Sequence, residues 1–341
     1  MKSDIIKLPP YTVYNVVHTL TQVMGWGIQQ LNVPNTWTIT RGEGQTVLVI
    51  DTGFTTHADL QGAMILEQSK SFISTEPSID DYCGHSTHCC GIVGARDNTI
   101  GMVGVAPEVK IITCKVLDKQ GIGTVEGINA ALEYALDIKP SVISMSLGGP
   151  HYNQKMRELV RALYDANIPI VAAAGNEGPN NYSISYPGKF PEVICVGAFD
   201  SDGNPAQFSS RGEEVTLLAP GVKVYSTWLN NEYAVLDGSS MATPFITGII
   251  CLLLAKHAKQ EKETGINDCK TVAQIKEHLI KYTDDQGAIG HDFSWGYGMI
   301  NPVRLITETD AITGVKQISP ICIEQPKGIL NCLKKIWNFF F

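Results

Sequence analysis

Apolar runs rich in β-branched residues alternate along the chain with segments of helical periodicity. The helical segments are residues 124–138 and 152–167, where apolar side chains recur every three or four positions. The strand-like runs are mostly apolar and cover residues 45–50, 109–117, 142–147, 168–174, 193–198 and 215–218. Continuous apolar strands that alternate with helices predict a mainly parallel sheet covered on both faces. We therefore expect an α/β protein with three layers, α/β/α.

Composition and charge narrow the class of protein. The 341 residues are 44% hydrophobic and 18% charged, which is typical of a folded core and not of a disordered chain. The formal net charge of −8 argues against nucleic-acid binding. No export signal or membrane span is apparent, since the longest apolar stretch, residues 245–255, is too short. The nine cysteines are odd in number and several lie in apolar runs, which indicates free buried thiols and a cytoplasmic protein.

Three candidate catalytic side chains lie at the ends of these elements. Asp51 follows the strand 45–50, His85 precedes a short helix of small residues beginning at Cys89, and Ser240 opens an apolar helix that runs to about His257. In open α/β sheets the binding crevice lies at the carboxyl ends of the strands. Unpaired N–H groups at a helix start can also stabilise a developing oxyanion.

The segments around these side chains resemble the signature segments of subtilisin-like serine proteases. The chain order Asp, His, Ser is that of subtilisin, and the resemblance covers about residues 6–310. The segments are Asp51-Thr52-Gly53, His85-Ser86-Thr87-His88, Ala173-Ala174-Gly175-Asn176-Glu177-Gly178 and Gly238-Ser239-Ser240-Met241-Ala242-Thr243-Pro244.

The resemblance implies a role for each catalytic residue. Ser240 is the expected nucleophile, His85 the general base and acid, and Asp51 the carboxylate that orients the imidazole. Asn176 is expected to donate its side-chain amide to the oxyanion, together with the backbone N–H of Ser240. The family's usual glycine after the first histidine is Ser86 here, which leaves every catalytic atom in place.

Simpler interpretations exist for each segment taken alone. An Asp after a strand is usually a turn residue, and a Ser before a helix is usually an N-cap. The pair of histidines followed by Cys89-Cys90 is an alternative metal motif, but no second ligand pair stands at a suitable spacing. We expect His88 to be a packed structural histidine.

Residues 144–149 and 117–123 resemble the two facing strands that bind substrate in this family. An extended peptide would add between them as a strand, and glycines there permit close approach of its backbone; ordinary strand-end glycines are the alternative. Glu177 at the pocket rim gives the hypothesis of a preference for basic side chains. The expected substrate-binding residues are Gly121, Ile122, Gly123, Ser146, Leu147, Gly148, Ala173, Gly175 and Ser185.

Residues 57–60 and 97–102 resemble the two halves of the family's tight calcium site. The resemblance implies that Asp59 and Asn98 supply side-chain oxygens, and Ile100 and Met102 backbone carbonyls, to a structural Ca²⁺. An uncomplexed surface loop is the alternative.

The N-terminal segment Leu8-Pro9-Pro10-Tyr11 resembles the one that opens bacterial intracellular subtilisins. The resemblance implies a short inhibitory extension that lies across the groove until it is trimmed. Proline fixes φ and lacks an N–H, which can hold a peptide bond out of attack geometry. Pro9 replaces the family's isoleucine, which leaves the register of this segment open. We expect an inhibitory extension in residues 1–24, a peptidase domain in 25–310 and a tail in 311–341.

The basic and aromatic tail matches no known pattern, and docking on the chain itself or on a subunit is expected over contact with a membrane. The sequence as a whole predicts a cytoplasmic, calcium-stabilised serine endopeptidase of peptides and proteins, homodimeric by the subfamily resemblance, that binds no nucleic acid. A catalytically idle binding protein, and an esterase or peptide ligase that uses the same acyl-enzyme, are the alternatives.

Overall fold

A computed structural model describes residues 5–17, 21–180 and 182–308. The tail 311–341, Cys322 and Cys332 lie outside the described residues. The strands are β1 (Ile5–Lys7), β2 (Thr12–Val17), β3 (Thr46–Asp51), β4 (Lys70–Ser71), β5 (Lys110–Lys115), β6 (Ile122–Thr124), β7 (Val142–Met145), β8 (Ile170–Ala173), β9 (Ile194–Phe199), β10 (Val215–Pro220), β11 (Val224–Thr227), β12 (Tyr233–Asp237), β13 (Thr283–Asp284) and β14 (Met299–Ile300). The helices are α1 (Trp26–Gln30), α2 (His85–Gly94), α3 (Val125–Ile138), α4 (Gln154–Asp165), α5 (Ser239–Thr264), α6 (Val272–Lys281) and α7 (Pro302–Thr307).

Nine strands form the central sheet in the order β13-β14-β10-β9-β8-β7-β3-β5-β4. All neighbouring pairs are parallel except β13 and β14. The six strands predicted from the sequence are therefore confirmed as neighbours in one mainly parallel sheet. Two small sheets lie beside it, β1-β6 and β11-β12-β2.

The two faces of the sheet bury two different cores. On β3, Val47 and Val49 join the core under α2 and α5, whereas Leu48 and Ile50 join the core under α3 and α4. This alternation follows from the strand period of two and gives the expected α/β/α layers. The carboxyl ends of β3, β7 and β8 lie side by side, so the residues that follow them converge.

Two helices differ in extent from the sequence expectation. The helix expected at Cys89 begins at His85, so the histidine itself is in the first turn. The helix expected to end near His257 runs to Thr264, where Gly265 adopts the left-handed conformation that ends helices. Among the helices that the structure describes, α5 is long and apolar enough to cross a membrane, but 83% of its most apolar window is buried in the protein, as in a core helix.

Candidate active site

Asp51 and His85 form a buried pair at the carboxyl edge of the sheet. Asp51 is the last residue of β3 and His85 the first of α2, and neither side chain is exposed. His85 Nδ1 lies 2.9 Å from Asp51 Oδ1 and 3.0 Å from Oδ2. The Thr52 amide donates to Oδ1 at 2.7 Å, which fixes the carboxylate. The carboxylate therefore holds the Nδ1–H tautomer and leaves Nε2 as the basic nitrogen.

Asp81 fixes the start of the histidine helix, and the motif analysis missed it. Its Oδ1 accepts from the Cys83 and Gly84 amides at 2.9 and 2.8 Å, and its Oδ2 accepts from the Thr87 amide and hydroxyl at 3.0 and 2.8 Å. A carboxylate with several helix-start donors is a strong N-terminal cap. Asp81 thus satisfies the N–H groups of Gly84, the N-cap, and of Thr87 in the first turn. The signal in the sequence is an aspartate four residues before the histidine.

Ser240 lies in the first turn of α5, close to this pair. Cys89 Sγ contacts both, at 3.9 Å from His85 Nδ1 and 3.5 Å from the Ser240 carbonyl. The Ser240 hydroxyl, however, donates to the Ser146 carbonyl at 3.2 Å, while the Ser146 hydroxyl donates to the Ser240 carbonyl at 2.8 Å. Among the described residues, His85 Nε2 has no hydrogen-bond partner. The structure therefore forms the acid–imidazole half of the expected arrangement and turns the hydroxyl elsewhere.

Asn176, in the loop after β8, has its amide orientation fixed by Ser239. Asn176 Oδ1 accepts from the Ser239 amide at 2.9 Å and from its hydroxyl at 2.8 Å. Gly238 is the N-cap of α5 with φ +151, and a Cβ there would lie 3.1 Å from Asn176 Nδ2. With its oxygen anchored, the amide presents Nδ2 outward to an acceptor.

That acceptor is a carbonyl of the chain's own N-terminal segment. Asn176 Nδ2 donates to the Pro10 carbonyl at 2.6 Å. The Tyr11 ring lies against the His85 imidazole with a centroid separation of 5.3 Å, and its hydroxyl is 3.4 Å from Cys83 Sγ. Segment 8–11 therefore covers both the amide donor and the imidazole.

The residues before Pro10 pair with both strands of the predicted groove. Lys7 exchanges two main-chain hydrogen bonds of 3.1 Å with Gly148, and the Leu8 amide donates to the Gly121 carbonyl at 3.0 Å. On the same side, β1 pairs antiparallel with β6, with Ile6 opposite Gly123 and Lys7 opposite Ile122. The side chains of Ile6 and Leu8 are buried, at 2% and 8% exposure.

The other predicted pocket residues surround this segment less directly. Leu147 and Ala173 are buried, and Gly175 accepts and donates main-chain bonds with the Ser239 hydroxyl. A Cβ at Gly148 would lie 2.9 Å from Ser185 Cβ, so this wall is tightly packed. The Glu177 carboxylate accepts from the Ser210 hydroxyl at 2.7 Å.

Burial keeps the neighbouring thiols and the second histidine neutral. It raises the pKa of the Cys89 thiol well above its ordinary value, and the negative charge of Asp51 raises it further. Burial also lowers the pKa of His88 to about 3. His88 Nε2 lies 3.1 Å from the carbonyls of Val224 and Ala234, so His88 has the packed, structural setting expected for it. The seven cysteines in the described part of the chain are all free.

A buried cation, Lys115, lies at the edge of the site and was not predicted. It pairs in register with Asp51 across β3 and β5 and is fully buried. Its ammonium donates to the carbonyls of Thr52 and Asp80 at 2.9 and 3.0 Å and lies 3.1 Å from Glu76 Oε2. These bonds tie the turn after Asp51 to the loop that leads to His85. A lysine that ends an apolar strand gives no sign in the sequence of such a role.

The four predicted calcium ligands lie in one loop cluster. Asp59 is fully buried; its Oδ1 accepts from the Asn98 amide at 3.0 Å and its Oδ2 from the Met102 N–H at 2.7 Å. Asn98 Oδ1 accepts from the Ile100 N–H at 2.8 Å. The Gln22 side chain, missed by the sequence analysis, accepts from the Asn98 N–H and donates to Asp97, both at 2.7 Å. Asp59 Oδ2 also accepts from the Tyr233 hydroxyl at 3.0 Å, and the Asn98 side chain turns its nitrogen toward Asp59. Carboxylate, amide and carbonyl oxygens are the ligand types that Ca²⁺ takes.

Comparisons with known proteins agree with this geometry. Residues 42–298 match the model of the subtilase family. The chain is 39% identical to subtilisin DY of Bacillus licheniformis over 264 residues, which is 76% of this chain and 90% of that protein. It is 36% identical to an intracellular serine protease of Paenibacillus polymyxa over 82% of this chain and 85% of that protein. It is 35% identical to the M-protease of Shouchella clausii (strain KSM-K16) over 87% of this chain and 75% of that protein. A mainly parallel sheet with a buried Asp–His pair at its carboxyl edge, and a family match over most of the chain, together show that the chain belongs to the subtilase family of serine endopeptidases.

Proposed function

We propose that this protein is an endopeptidase that works through Asp51, His85 and Ser240 and is kept latent by its N-terminal residues 1–24. The observation that carries the proposal is the bond from Asn176 Nδ2 to the Pro10 carbonyl at 2.6 Å. A peptide carbonyl already occupies the donor that a substrate carbonyl needs. The residues that precede this carbonyl pair with both strands of the groove.

Hydrolysis begins when a substrate peptide replaces this segment. The Ser240 hydroxyl leaves the Ser146 carbonyl, turns to His85 Nε2 and attacks the substrate carbonyl, and its proton passes to Nε2. Asp51 stabilises the imidazolium that forms. Asn176 Nδ2 and the Ser240 N–H at the start of α5 stabilise the oxyanion. The imidazolium then protonates the leaving amine, and water hydrolyses the acyl-enzyme by the same steps in reverse.

Three features of the structure explain why the N-terminal segment is not cleaved while it occupies the groove. Pro9 and Pro10 fix two consecutive φ angles, so the carbonyl at Asn176 cannot adjust freely toward the serine. The ring of Tyr11 covers the imidazole that must accept the proton. The Ser240 hydroxyl is bonded to Ser146 and not to His85. Binding without attack geometry gives inhibition.

We propose that Ca²⁺ is a structural cofactor held by Asp59, Asn98 and the carbonyls of Ile100 and Met102, with Gln22 as an additional side chain. The ion neutralises the buried Asp59 carboxylate and joins the segment at Gln22 to the loop 97–102. A cytoplasmic location is proposed from the free thiols of the described residues and from the printed name of the Paenibacillus relative. Homodimerisation stays a prediction. Size-exclusion chromatography with light scattering, which gives the mass of the particle in solution, tests it.

The central test compares the full-length protein with Ser240→Ala. A fluorophosphonate probe is expected to label the wild type at Ser240 once its N-terminal residues are trimmed, and not to label the variant. Mass spectrometry of a casein digest is expected to show new peptides, and loss of the N-terminal residues, in the wild type alone. Absence of labelling in a wild type freed of its N-terminal residues would support the idle binding protein instead. Turnover of esters without amides would support the esterase alternative.

A further inference from the structure

Two histidines and a cysteine meet at the far end of α5, well away from the catalytic groups. His257 lies on α5, Cys269 in the loop after it and His278 on α6. One ligand atom from each lies within 4.8 Å of the others. The imidazole rings of His257 and His278 are 5.2 Å apart. The exposed fractions are 3%, 2% and 9% in chain order, so the cluster is buried.

A carboxylate stands behind one of the imidazoles. Asp268 Oδ1 lies 2.7 Å from His257 Nδ1, and the Asp268 carbonyl lies 3.4 Å from His278 Nε2. A carboxylate on one ring nitrogen fixes the tautomer, orients the ring and makes the other nitrogen a better metal ligand. Asp268 thus places a carboxylate at ion-pair distance from His257, beside the cluster.

The loop that carries Cys269 is held in place by its own hydrogen bonds. The Cys269 N–H donates to Asn267 Oδ1 at 2.9 Å, and the Asn267 amide donates to Glu261 at 2.9 Å. Lys270 pairs with Glu261 at 2.6 Å, and Thr271 forms a capping box with Gln274 at the start of α6. The thiol is therefore presented to the two histidines by an ordered backbone, as a preformed ligand requires.

We propose that His257, Cys269 and His278 form a zinc site, with water as the fourth ligand, that fastens α5 to α6. Zn²⁺ is the cation that such a nitrogen and sulfur set favours. Its bond lengths of about 2.0 Å to nitrogen and 2.3 Å to sulfur bring ligand atoms to about 3.3–3.6 Å of each other. That is more than about 1 Å closer than the 4.8 Å limit found here. The thiol gives its proton to solvent as the Zn–S bond forms.

The site is structural and not catalytic. His257 is 17 residues after Ser240 on the same helix, which corresponds to about 25 Å. Zinc is therefore expected to change stability and to leave the chemistry at Ser240 untouched. At a free zinc concentration 100-fold above Kd, the apparent folding equilibrium constant is expected to rise about 100-fold.

Zinc and cobalt binding to the full-length chain tests the proposal. Ser240→Ala in every sample prevents self-cleavage, and excess Ca²⁺ keeps oxygen sites filled. We expect one Zn²⁺ per chain with a Kd tighter than about 1 μM in competition with a chromophoric chelator. Co²⁺ is expected to give a thiolate charge-transfer band and the visible bands of a four-coordinate ion. Cys269→Ser should remove the thiolate band. Asp268→Asn should weaken zinc binding about 10- to 100-fold, and His278→Gln, which removes a ligand, should weaken it further.

Cys89→Ser is the matched control, because Asp51, His85 and Cys89 are the other such group in the described part of the chain. It is expected to keep both the band and the affinity. Loss of the band in Cys89→Ser, unchanged binding in Cys269→Ser, or no binding tighter than about 1 μM in the Ser240→Ala parent overturns the proposal. If the cluster variants do not fold, X-ray absorption spectroscopy at the zinc edge of the Ser240→Ala parent tests the ligand set. One sulfur at about 2.3 Å with two imidazoles supports the site, and a single imidazole overturns it.

Discussion

The inhibitory role of the N-terminal segment can be tested with two neighbouring residues of the same type. Ile5 and Ile6 both lie on β1, but Ile6 is 2% exposed and packs at Gly149, whereas Ile5 is 50% exposed. Replacing either by alanine removes the same atoms and leaves the main-chain pairing with β6 and Gly148 intact. The two variants therefore differ mainly in the apolar area that the blocked groove loses.

The expected magnitude follows from this burial. Full burial of an isoleucine side chain is worth about 1.5–3 kcal/mol, so Ile6→Ala should weaken the blocked state by about 2 kcal/mol. Since about 1.4 kcal/mol is a tenfold change, the open fraction rises about 30-fold. Ile5→Ala loses at most about half of that free energy, and the open fraction rises by less than about fivefold.

The assay is the initial rate of hydrolysis of a chromogenic peptide at a concentration below KM. Mass spectrometry of each sample confirms that the N-terminus is still intact, because trimmed molecules would mask the effect. The variant that lacks residues 1–17 gives the initial rate of the fully open enzyme. We expect this rate to be higher than that of either alanine variant. Equal rates for the wild type, the deletion and Ile6→Ala would refute inhibition by this segment. Equal activation by Ile5→Ala and Ile6→Ala would refute the buried contact as its cause.

Three further predictions concern the oxyanion donor, pH and calcium. Asn176→Ala, made in a chain that lacks residues 1–17, should lower kcat about 10²- to 10³-fold with little change in KM, as measured by steady-state kinetics. This loss in kcat is the one known for the corresponding donor of subtilisin, itself a member of the family. Burial lowers the pKa of His88 to about 3, against about 6.5 in an unfolded chain. Between these two pH values the unfolded state binds more protons than the folded state. The free energy of unfolding therefore falls as the pH drops through that window. His88→Gln should make this dependence shallower by up to about 1.4 kcal/mol per pH unit in urea unfolding between pH 4 and 6.5, and an unchanged slope contradicts the assignment. Excess chelator should lower the Tm of the wild type but not of Asp59→Ala, and an unchanged wild-type melt would reject bound calcium.

Local patterns in the sequence were enough to predict the layers of the fold, and the resemblance to subtilisin-like proteases predicted the Asp51–His85 pair. Strand and helix periods depend on which face of each element is buried, so they are visible along the chain. The same patterns placed Asp51 after a strand and Ser240 at a helix start, as the structure has them. The start of α2 was misjudged because the sequence analysis did not consider Asp81, whose carboxylate accepts from the Gly84 and Thr87 amides at the start of that helix.

The sequence by itself therefore determined the α/β/α architecture, the family and the residues that stand at the sheet's carboxyl edge. Only the tertiary structure decided which atoms meet there. The Pro10 carbonyl accepts from Asn176, 166 positions away, and the Ser240 hydroxyl donates to Ser146. Lys115 joins two loops through the carbonyls of Thr52 and Asp80. The tertiary structure also brought His257, Cys269 and His278 together from three elements. The physical reason is that periodicity fixes the direction of a side chain relative to its own strand or helix. Its hydrogen-bond partners depend on how separate elements pack, and no local pattern records that packing.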